Sequence, residues 1–401
     1  MKTKFKLSVF SLSLCFILFC AVHAWGSNQE SANSPIPAVE FEGTLQETDT
    51  PELTDTITDT IDVIAVNPPT RIALVLSDIY SKKDMEFSRG FLLGMRHSNI
   101  EPNSIDLKII NGEIPSDSLR MELDSFVPDF IVSTFEKDAP VALLTYARIN
   151  DCKLLNVFDA RGNDYLYNKN IYQTLTPSAV FNPEVARYLL DNFPGNILVI
   201  VGDPDPSDPS MKTLILEWPE DDLLIVAPED FALLELEEES NYIIYPLVDS
   251  NDDVKEILGK IVTLMAAYPT AGVRIFGRPG WIAINDLSSA IANMEVFIPS
   301  KCYFDPSTDA SKRFISTYNS SFGHAPIRSY PVYAVMGYDI AGYFLPVASD
   351  LKENPSLVPD PRNMIQSYFN FTQSENLGVF NRGGFILHYE PWGTMKKELL
   401  F

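Results

Sequence analysis

The 401-residue sequence lacks most of the patterns that mark enzymes and metal sites. It has no Gly-x-Ser-x-Gly elbow and no phosphate-binding loop, and no Gly-x-Gly-x-x-Gly follows the apolar runs that end at Leu76 and Val201. His97, His324 and His388 stand alone, without His or Cys at the spacing of metal ligands. The sequence therefore predicts a protein that is not an enzyme and has neither a cofactor nor a metal site.

Basic residues are scarce. The first 24 residues hold three lysines and no acid, so the rest of the chain has 27 basic and 54 acidic residues. A surface of such negative charge excludes nucleic acid as an expected partner and disfavours anionic lipid. Residues 25–69 contain no Lys or Arg and are rich in Thr, Asp, Glu, Ser and Pro, which predicts an acidic, disordered linker.

Long apolar runs are also few. Leu7–Val22 follows the three lysines and precedes Ala24, which predicts a secretory signal peptide over residues 1–24 and an exported, periplasmic protein. The run is short for a membrane span, and no other stretch approaches the roughly 20 residues required. A lipoprotein signal at Cys20 is the less favoured alternative, because Phe19 is bulky where such a site usually has a small residue.

Only four cysteines are present, and Cys15 and Cys20 lie in the predicted signal peptide. In an oxidising compartment the remaining two, Cys152 and Cys302, could form a disulfide. Two interpretations stay open at this point, a disulfide and two separate buried thiols, and the second is slightly favoured.

The fold prediction begins with the segment Arg71–His97. Ile72–Leu76 is a continuous apolar run, typical of a strand that is buried on both faces of a parallel sheet. Beyond a polar loop, apolar residues and two glycines recur at helical spacing, which predicts a helix packed on that strand. Ligands of open α/β sheets bind outside the carboxyl ends of strands, so the loop, with Tyr80, is a candidate binding surface.

Strand and helix patterns then alternate almost to the end of the chain, which predicts parallel sheets with right-handed crossovers. About 330 ordered residues are more than one core usually holds, so two lobes are expected. Strands are predicted at Asp106–Asn111, Phe130–Ser133, Lys153–Val157, Ile171–Leu175, Ile197–Val201, Leu223–Ala227, Tyr242–Pro246, Val273–Phe276 and Lys301–Phe304. Helices are predicted at Val141–Ile149, Asn182–Asn192, Lys212–Trp218, Val254–Ala267, Asp309–Phe322 and Tyr330–Leu345, and a β-hairpin at Leu377–Tyr389.

The order of these elements and four local signatures resemble the type I periplasmic binding proteins, the superfamily of leucine/isoleucine/valine-binding (LivJ-like) proteins and receptor ligand-binding domains. The signatures are FSRGFLLG on the first helix, FGRPGW at Phe276–Trp281, the run Thr317–Asp339, and the closing GVFNRGGFILHY. The resemblance covers residues 70–395. It is especially close to a divergent bacterial group that is attached to LysM modules, although no LysM-like repeat occurs in this sequence.

The resemblance implies a clamshell of two mainly parallel sheets with helices on both faces and three chain crossings between the lobes. Lobe 1 is expected over residues 70–176 and 301–380, and lobe 2 over residues 177–300 and 381–401. Such a fold closes on a small polar ligand by a hinge motion.

The resemblance also suggests where a ligand would lie. In relatives that hold amino acids, hydroxyl-bearing residues after the third strand grip the carboxylate, and Ser133 and Thr134 stand at that place. Their hydroxyls suit this role. The usual Gly-Pro before them is missing, and Glu136 would repel an anionic ligand, so amino-acid binding is less favoured than other small polar ligands.

Other candidates follow the carboxyl-end rule. Asp159 follows the fourth strand, Asp203 follows Ile197–Val201, and Trp281 follows Val273–Phe276. Tyr303, in the predicted strand Lys301–Phe304, is a further candidate. Acids and an aromatic face suit a sugar or a cationic amine. Each has a structural alternative: Asp203 as a turn residue, and Trp281 as part of the core.

Two functions remain open. The first is an extracytoplasmic solute-binding or sensor protein for an amino acid-like ligand, an amine or a sugar, with a membrane permease as partner if it serves transport. The second is a ligand-free structural or interaction protein of the cell envelope that retains the fold. By analogy, a homodimer through the helix region Glu86–Arg96 is also expected.

Overall fold

A computed structural model describes residues 68–400 of the protein, apart from 99, 102, 138, 161–162, 285, 355–356 and 374–376. The predicted signal peptide and all but the last two residues of the predicted linker lie outside the described residues. Both therefore stay predictions.

The strands of the described residues form two seven-stranded sheets and one small two-stranded sheet. They are β1 (Thr70–Leu76), β2 (Ile105–Asn111), β3 (Phe130–Ser133), β4 (Lys153–Asn156), β5 (Ile171–Gln173), β6 (Ile197–Val201), β7 (Leu223–Val226), β8 (Asn241–Pro246), β9 (Gly272–Phe276), β10 (Glu295–Ser300), β11 (Arg362–Asn363), β12 (Tyr368–Phe369), β13 (Phe371–Gln373), β14 (Val379–Asn381), β15 (Phe385–Tyr389) and β16 (Met395–Leu399).

Helices cover both faces of the two large sheets. They are α1 (Lys82–His97), α2 (Ser116–Phe126), α3 (Val141–Ile149), α4 (Ser178–Asn192), α5 (Pro209–Glu217), α6 (Asn251–Ala267), α7 (Leu287–Ala290), α8 (Asp309–Phe322), α9 (Tyr333–Phe344) and α10 (Ala348–Glu353).

The first sheet has the order β13-β14-β5-β4-β3-β1-β2, in which all strands but β13 run parallel. One face packs against α1, α9 and α10, and the opposite face packs against α2 and α3. Because both faces are covered, the strands are nearly continuous apolar runs, as the sequence predicts.

The second sheet has the order β16-β15-β10-β9-β8-β6-β7, with β15 and β16 antiparallel to their neighbours. Its two cores are formed with α6 and α7 on one face and with α4 and α5 on the other. The prediction of an α/β fold with two lobes, each built on a mainly parallel sheet, is confirmed.

The chain passes three times between the two sheets, as the resemblance implies. It leaves the first sheet after β5, returns after β10 to form α8, α9 and β13, and leaves again between β14 and β15. The predicted hairpin at Leu377–Tyr389 is therefore wrong, because β14 pairs with β5 while β15 pairs with β10. Gly383 and Gly384 belong to the third crossing, where a Cβ on Gly383 would lie 1.8 Å from the backbone oxygen of Tyr368.

The structure differs from the prediction in three other features. Helix α2 was not expected, and Lys301–Phe304 is no strand, since within it only Cys302 forms an isolated bridge, with Ser367. Cys152 and Cys302 are both buried free thiols, so the disulfide interpretation is wrong. Burial raises the pKa of the Cys302 thiol to about 12, so this thiol is protonated and unreactive at neutral pH.

Glycines bring α1 and α9 into close contact. A Cβ on Gly90 would lie 1.8 Å from the backbone oxygen of Ala334, and one on Gly337 would lie 2.1 Å from that of Phe87. This packing covers most of the region Glu86–Arg96, in which Glu86 itself is buried. The region thus offers little surface for the predicted dimer contact, and the homodimer itself stays a prediction.

Candidate functional site

The carboxyl ends of β3 and β4 bring together three of the predicted residues, Ser133, Thr134 and Asp159. Ser133 ends β3, and Thr134 directly follows it; both are fully buried. The Thr134 hydroxyl oxygen accepts a hydrogen bond from the backbone N–H of Ser77, at 2.8 Å, and thereby fixes the loop after β1. Asp159 is buried beyond the end of β4, where one of its carboxylate oxygens accepts from the amide of Asn156 at 3.5 Å.

A row of three neutral polar side chains lies at this edge. Ser133, Asn156 and Gln173 are the last residues of three adjacent strands and are Cα partners of one another across the sheet. We call these three residues the polar row. Leu154 and Ile171, two positions earlier in their strands, pack in the core beneath α2 and α3, so the polar row faces the same side of the sheet.

The polar row contains buried atoms without hydrogen-bond partners. The hydroxyl oxygen of Ser133, the amide oxygen of Asn156 and both amide atoms of Gln173 have none among the protein's own atoms, and all three side chains are fully buried. Each such atom costs about 1–3 kcal/mol relative to a paired one. Unpaired buried polar atoms are rare in native proteins, so four of them at one sheet edge need an explanation.

Lys83 organises the charges beside the polar row. Its ammonium nitrogen lies 3.0 Å from the backbone oxygen of Thr134, 3.4 Å from a carboxylate oxygen of Glu136 and 3.8 Å from one of Asp84. It also lies 5.5 Å from the ring centroid of Phe158, within the range of a cation–π contact. The carboxylate of Glu136 is therefore neutralised by a cation of the same chain.

Asp84 is fully buried at the first turn of α1. One carboxylate oxygen accepts from the Ser77 hydroxyl at 2.8 Å and from the Asp78 backbone N–H at 2.6 Å, which closes the loop after β1. The backbone N–H of Asp84 donates in turn to the Ser81 side chain, which caps the helix.

Tyr333 lies close to the same acids. Its ring packs edge to face against the ring of Phe158. Burial, followed by the charges of Glu136 and Asp84, raises the pKa of the Tyr333 hydroxyl.

The remaining predicted residues lie at separate places. Tyr80 is 68 % exposed on the loop after β1, and Asp203 is exposed on the loop after β6. Tyr303 is half-buried at the second crossing, and burial, then the charge of Asp305, raises its pKa. Trp281 is fully buried in the core of the second lobe and donates its indole N–H to the Val248 backbone oxygen at 2.8 Å, so its rings are not accessible to a ligand in this conformation.

Lys83, Asp84, Asn156 and Gln173 were not among the residues predicted from the sequence. The carboxyl-end rule that selected Ser133 would have selected Asn156 and Gln173 as well. However, the predicted strands extended to Val157 and Leu175, so these polar residues stood inside the strands rather than at their ends.

Hydrogen bonds tie the crossings together at the base of the two lobes. The Asn381 amide donates to the backbone oxygens of Thr174, at 2.9 Å, and Tyr368, at 3.1 Å, while its oxygen accepts from the backbone N–H groups of Asn370 and Gly383, both at 2.8 Å. This one side chain therefore links the first crossing, at Thr174, to the third crossing, at Gly383.

A buried acid orders the segment beside the second crossing. The Asp339 carboxylate accepts from the backbone N–H groups of Ile365, Gln366 and Ser367 at 2.9–3.1 Å. Burial nevertheless raises the pKa of Asp339 to about 6, since the loss of hydration outweighs these three donors.

No group of three or more His, Cys, Asp or Glu in the described part of the chain is placed to hold a metal ion. Within residues 68–400, excluding the gaps, no helix is long and apolar enough to cross a membrane.

A cavity of about 170 Å³ lies at the amino ends of β3 and β4, at the edge of the sheet opposite the polar row. Asp129 and Lys153 are among its lining residues.

Comparison with known proteins gives similarity in structure only. No family model matches the sequence, and no curated protein matches it either. The fold is similar to that of a Rhodospirillum rubrum protein provisionally assigned as a branched-chain amino acid ABC transporter, at 13 % identity and a TM-score of 0.60, over 82 % of this chain and 99 % of that one.

It is also similar to an ABC transporter substrate-binding protein from Desulfitobacterium hafniense, at 10 % identity and a TM-score of 0.51, over 82 % of this chain and 99 % of that one. A third similar structure is full-length LpoA from Haemophilus influenzae, at 13 % identity and a TM-score of 0.55. Here 82 % of this chain matches 59 % of LpoA. Together with the two sheets and three crossings, these similarities establish that the chain has a type I periplasmic-binding-protein fold.

Proposed function

We propose that this protein is an exported solute-binding or sensor protein that closes its two lobes on a small polar ligand, and that it is not an enzyme. The observation that carries the proposal is the polar row, whose unpaired donors and acceptors lie at the carboxyl edge of the first sheet. Ligands of open α/β sheets bind at this edge. A bound amino acid-like molecule, amine or sugar would supply the missing partners.

The polar row suits a ligand that both donates and accepts hydrogen bonds. Gln173 presents a donor and an acceptor, Asn156 an acceptor, and Ser133 a hydroxyl that serves as either. None of the three is exposed in this conformation, so ligand entry would require a movement that uncovers this edge of the sheet, such as opening of the lobes about the crossings that Asn381 links. Export is supported by the predicted signal peptide, and a membrane permease would be the partner in a transport role.

The alternative function is a structural or interaction protein of the cell envelope without a small ligand. One observation favours it: Lys83 is satisfied by Thr134, Glu136 and Asp84 of its own chain, so this cation needs no ligand.

Thermal unfolding of the purified exported protein, with and without amino acids, amines and sugars, distinguishes the two functions. A ligand at 100 times its dissociation constant stabilises the folded state by about 2.7 kcal/mol and raises the unfolding midpoint. The variant Gln173→Met removes the two unpaired amide atoms and should abolish the rise. Gln373→Met, at a half-buried glutamine of β13 outside the site, should retain it.

A rise in the wild type and in Gln373→Met, but not in Gln173→Met, would support ligand binding at the polar row. A flat response of the wild type to every compound, together with a crystal structure in which ordered water pairs the polar row, would favour the structural alternative instead.

A further inference from the structure

The edge of the second sheet at β7 is exposed and apolar. Among the described strands, β7 pairs with β6 alone, so its outer backbone edge has no strand partner. Leu224 and Ile225 in its centre are 38 % and 51 % exposed. Exposed apolar residues continue on the segments before and after the strand, with Leu216 at 71 % and Leu233 at 77 %.

The edge strands β2 and β16 carry the charges with which proteins commonly protect such edges. β16 contains Lys396 and Lys397, and β2 contains Asp106 and Lys108. β13, the remaining edge of the large sheets, has no charge, but its apolar residue Phe371 is buried. Of these four edges, β7 is the one that combines uncharged residues with exposed apolar side chains.

The surroundings of β7 are strongly acidic. Residues 213–254 contain 13 acidic residues and no Lys or Arg. The neighbouring cations are few. Lys212 and Lys255 lie just outside this range, Arg278 is paired with Asp249 at 3.1 Å, and Lys260 is paired with Glu256 at 2.8 Å and donates to the Pro228 backbone oxygen. An apolar strand edge inside an acidic surface is complementary to an extended segment that carries both apolar and basic residues.

We propose that β7 is a docking site for an extended, basic and apolar segment of a partner protein, which adds to the second sheet as an eighth strand. Backbone hydrogen bonds would pair the segment with the free edge, and its side chains would cover Leu224 and Ile225. Its Lys or Arg residues would lie among the flanking carboxylates. The chain's own residues 25–69 have no basic residue, and a second copy carries the same negative charge, so charge favours a different protein as the occupant.

A synthetic peptide of alternating lysine and valine, labelled with a fluorophore, is the probe. Its binding to the full exported chain is measured by fluorescence anisotropy at two salt concentrations. The same peptide with every backbone nitrogen methylated keeps its charge but has no backbone donor on either edge, so it cannot pair as a strand. Strand addition predicts at least tenfold weaker binding of the methylated peptide, whereas equal binding of both peptides would show simple charge attraction and overturn the proposal.

Two variants locate the site. Ile225→Lys places a charge in the middle of the β7 edge and should weaken binding at least tenfold. Leu399→Lys adds the same charge at a residue 49 % exposed on the other edge strand, β16, and should leave binding unchanged. Circular dichroism confirms that both variants fold. Equal losses in both variants, or a concentration-dependent dimer in sedimentation velocity that the Ile225→Lys variant abolishes, would contradict docking of a foreign segment.

Discussion

Lys83 and Glu136 form an ion pair at the carboxyl end of the first sheet, with 3.4 Å between the ammonium nitrogen and the carboxylate oxygen. In the sequence, Glu136 alone suggested that an anionic group would be repelled from Ser133 and Thr134. The pairing with Lys83 weakens that repulsion, although this one cation faces two carboxylates, since Asp84 lies 3.8 Å from the same ammonium nitrogen. The structure thus places a cation beside Thr134, where the sequence indicated only the acidic Glu136.

Lys83→Met should lower the free energy of unfolding by about 2–3 kcal/mol. The change removes the donor to the Thr134 backbone oxygen and leaves Asp84, a fully buried carboxylate, without its nearby cation. Urea denaturation measures the difference. Lys82→Met, at the exposed neighbouring lysine, is the control and should change stability by less than about 0.5 kcal/mol. Equal effects of the two substitutions would show that Lys83 does not organise the site.

Gln173→Met should stabilise the ligand-free protein by about 1 kcal/mol or more, because it replaces two unpaired buried amide atoms with an apolar side chain of similar shape. Gln373→Met should instead destabilise it by about 1 kcal/mol, because the Gln373 amide donates to the Leu377 backbone oxygen at 3.2 Å. The measurement is again urea denaturation, without added ligand. A loss of stability in Gln173→Met would mean that the Gln173 amide is paired in solution.

Gly90→Ala should destabilise the protein by more than about 2 kcal/mol. The new methyl group would overlap the backbone of Ala334 in α9. Relief of this overlap would require the two packed helices to move apart, which costs packing energy. Gly259→Ala, in α6, meets no atom within 4 Å and should stabilise by about 0.5–1 kcal/mol, since alanine favours the helix. Thermal unfolding of both variants tests the close packing of α1 on α9, and a Gly90→Ala protein as stable as wild type would exclude it.

Asp339 should make stability fall as pH rises. Its pKa is about 6 in the folded state and 3.8 in the unfolded state, where the carboxyl is hydrated. The folded state therefore binds this proton more tightly than the unfolded state. The resulting stabilisation is fully present below pH 3.8 and is lost as pH rises through 6, by up to about 3 kcal/mol.

The Asp339→Asn variant cannot titrate at this position, so the difference in unfolding free energy between it and the wild type isolates the effect. We expect that difference to change between pH 4 and pH 7 in the variant's favour, as measured by urea denaturation. A difference that is independent of pH would show that the three backbone donors keep Asp339 ionised throughout.

Much of the fold could be predicted because its strands are apolar on both faces. Five-residue apolar runs such as Ile72–Leu76 and Ile197–Val201 lack the polar face of a surface helix, so they indicate buried strands. The helix Asp309–Phe322 was predicted with the bounds that α8 has in the structure. The hairpin prediction failed because two strands separated by Gly383-Gly384 give the same sequence pattern whether they pair with each other or belong to different lobes. Only the partners of the strands, β5 and β10, distinguish them.

The sequence alone determined the α/β class, the two lobes, and the place of Ser133 and Thr134 at a strand end, because apolar periodicity and the carboxyl-end rule are local properties. Tertiary structure decided which polar groups meet. The register of three parallel strands aligned Ser133 with Asn156 and Gln173, and the fold of α1 over the sheet brought Lys83 to Thr134 and Glu136. Register and long-range packing depend on residues far apart in the chain, so no local pattern reveals them.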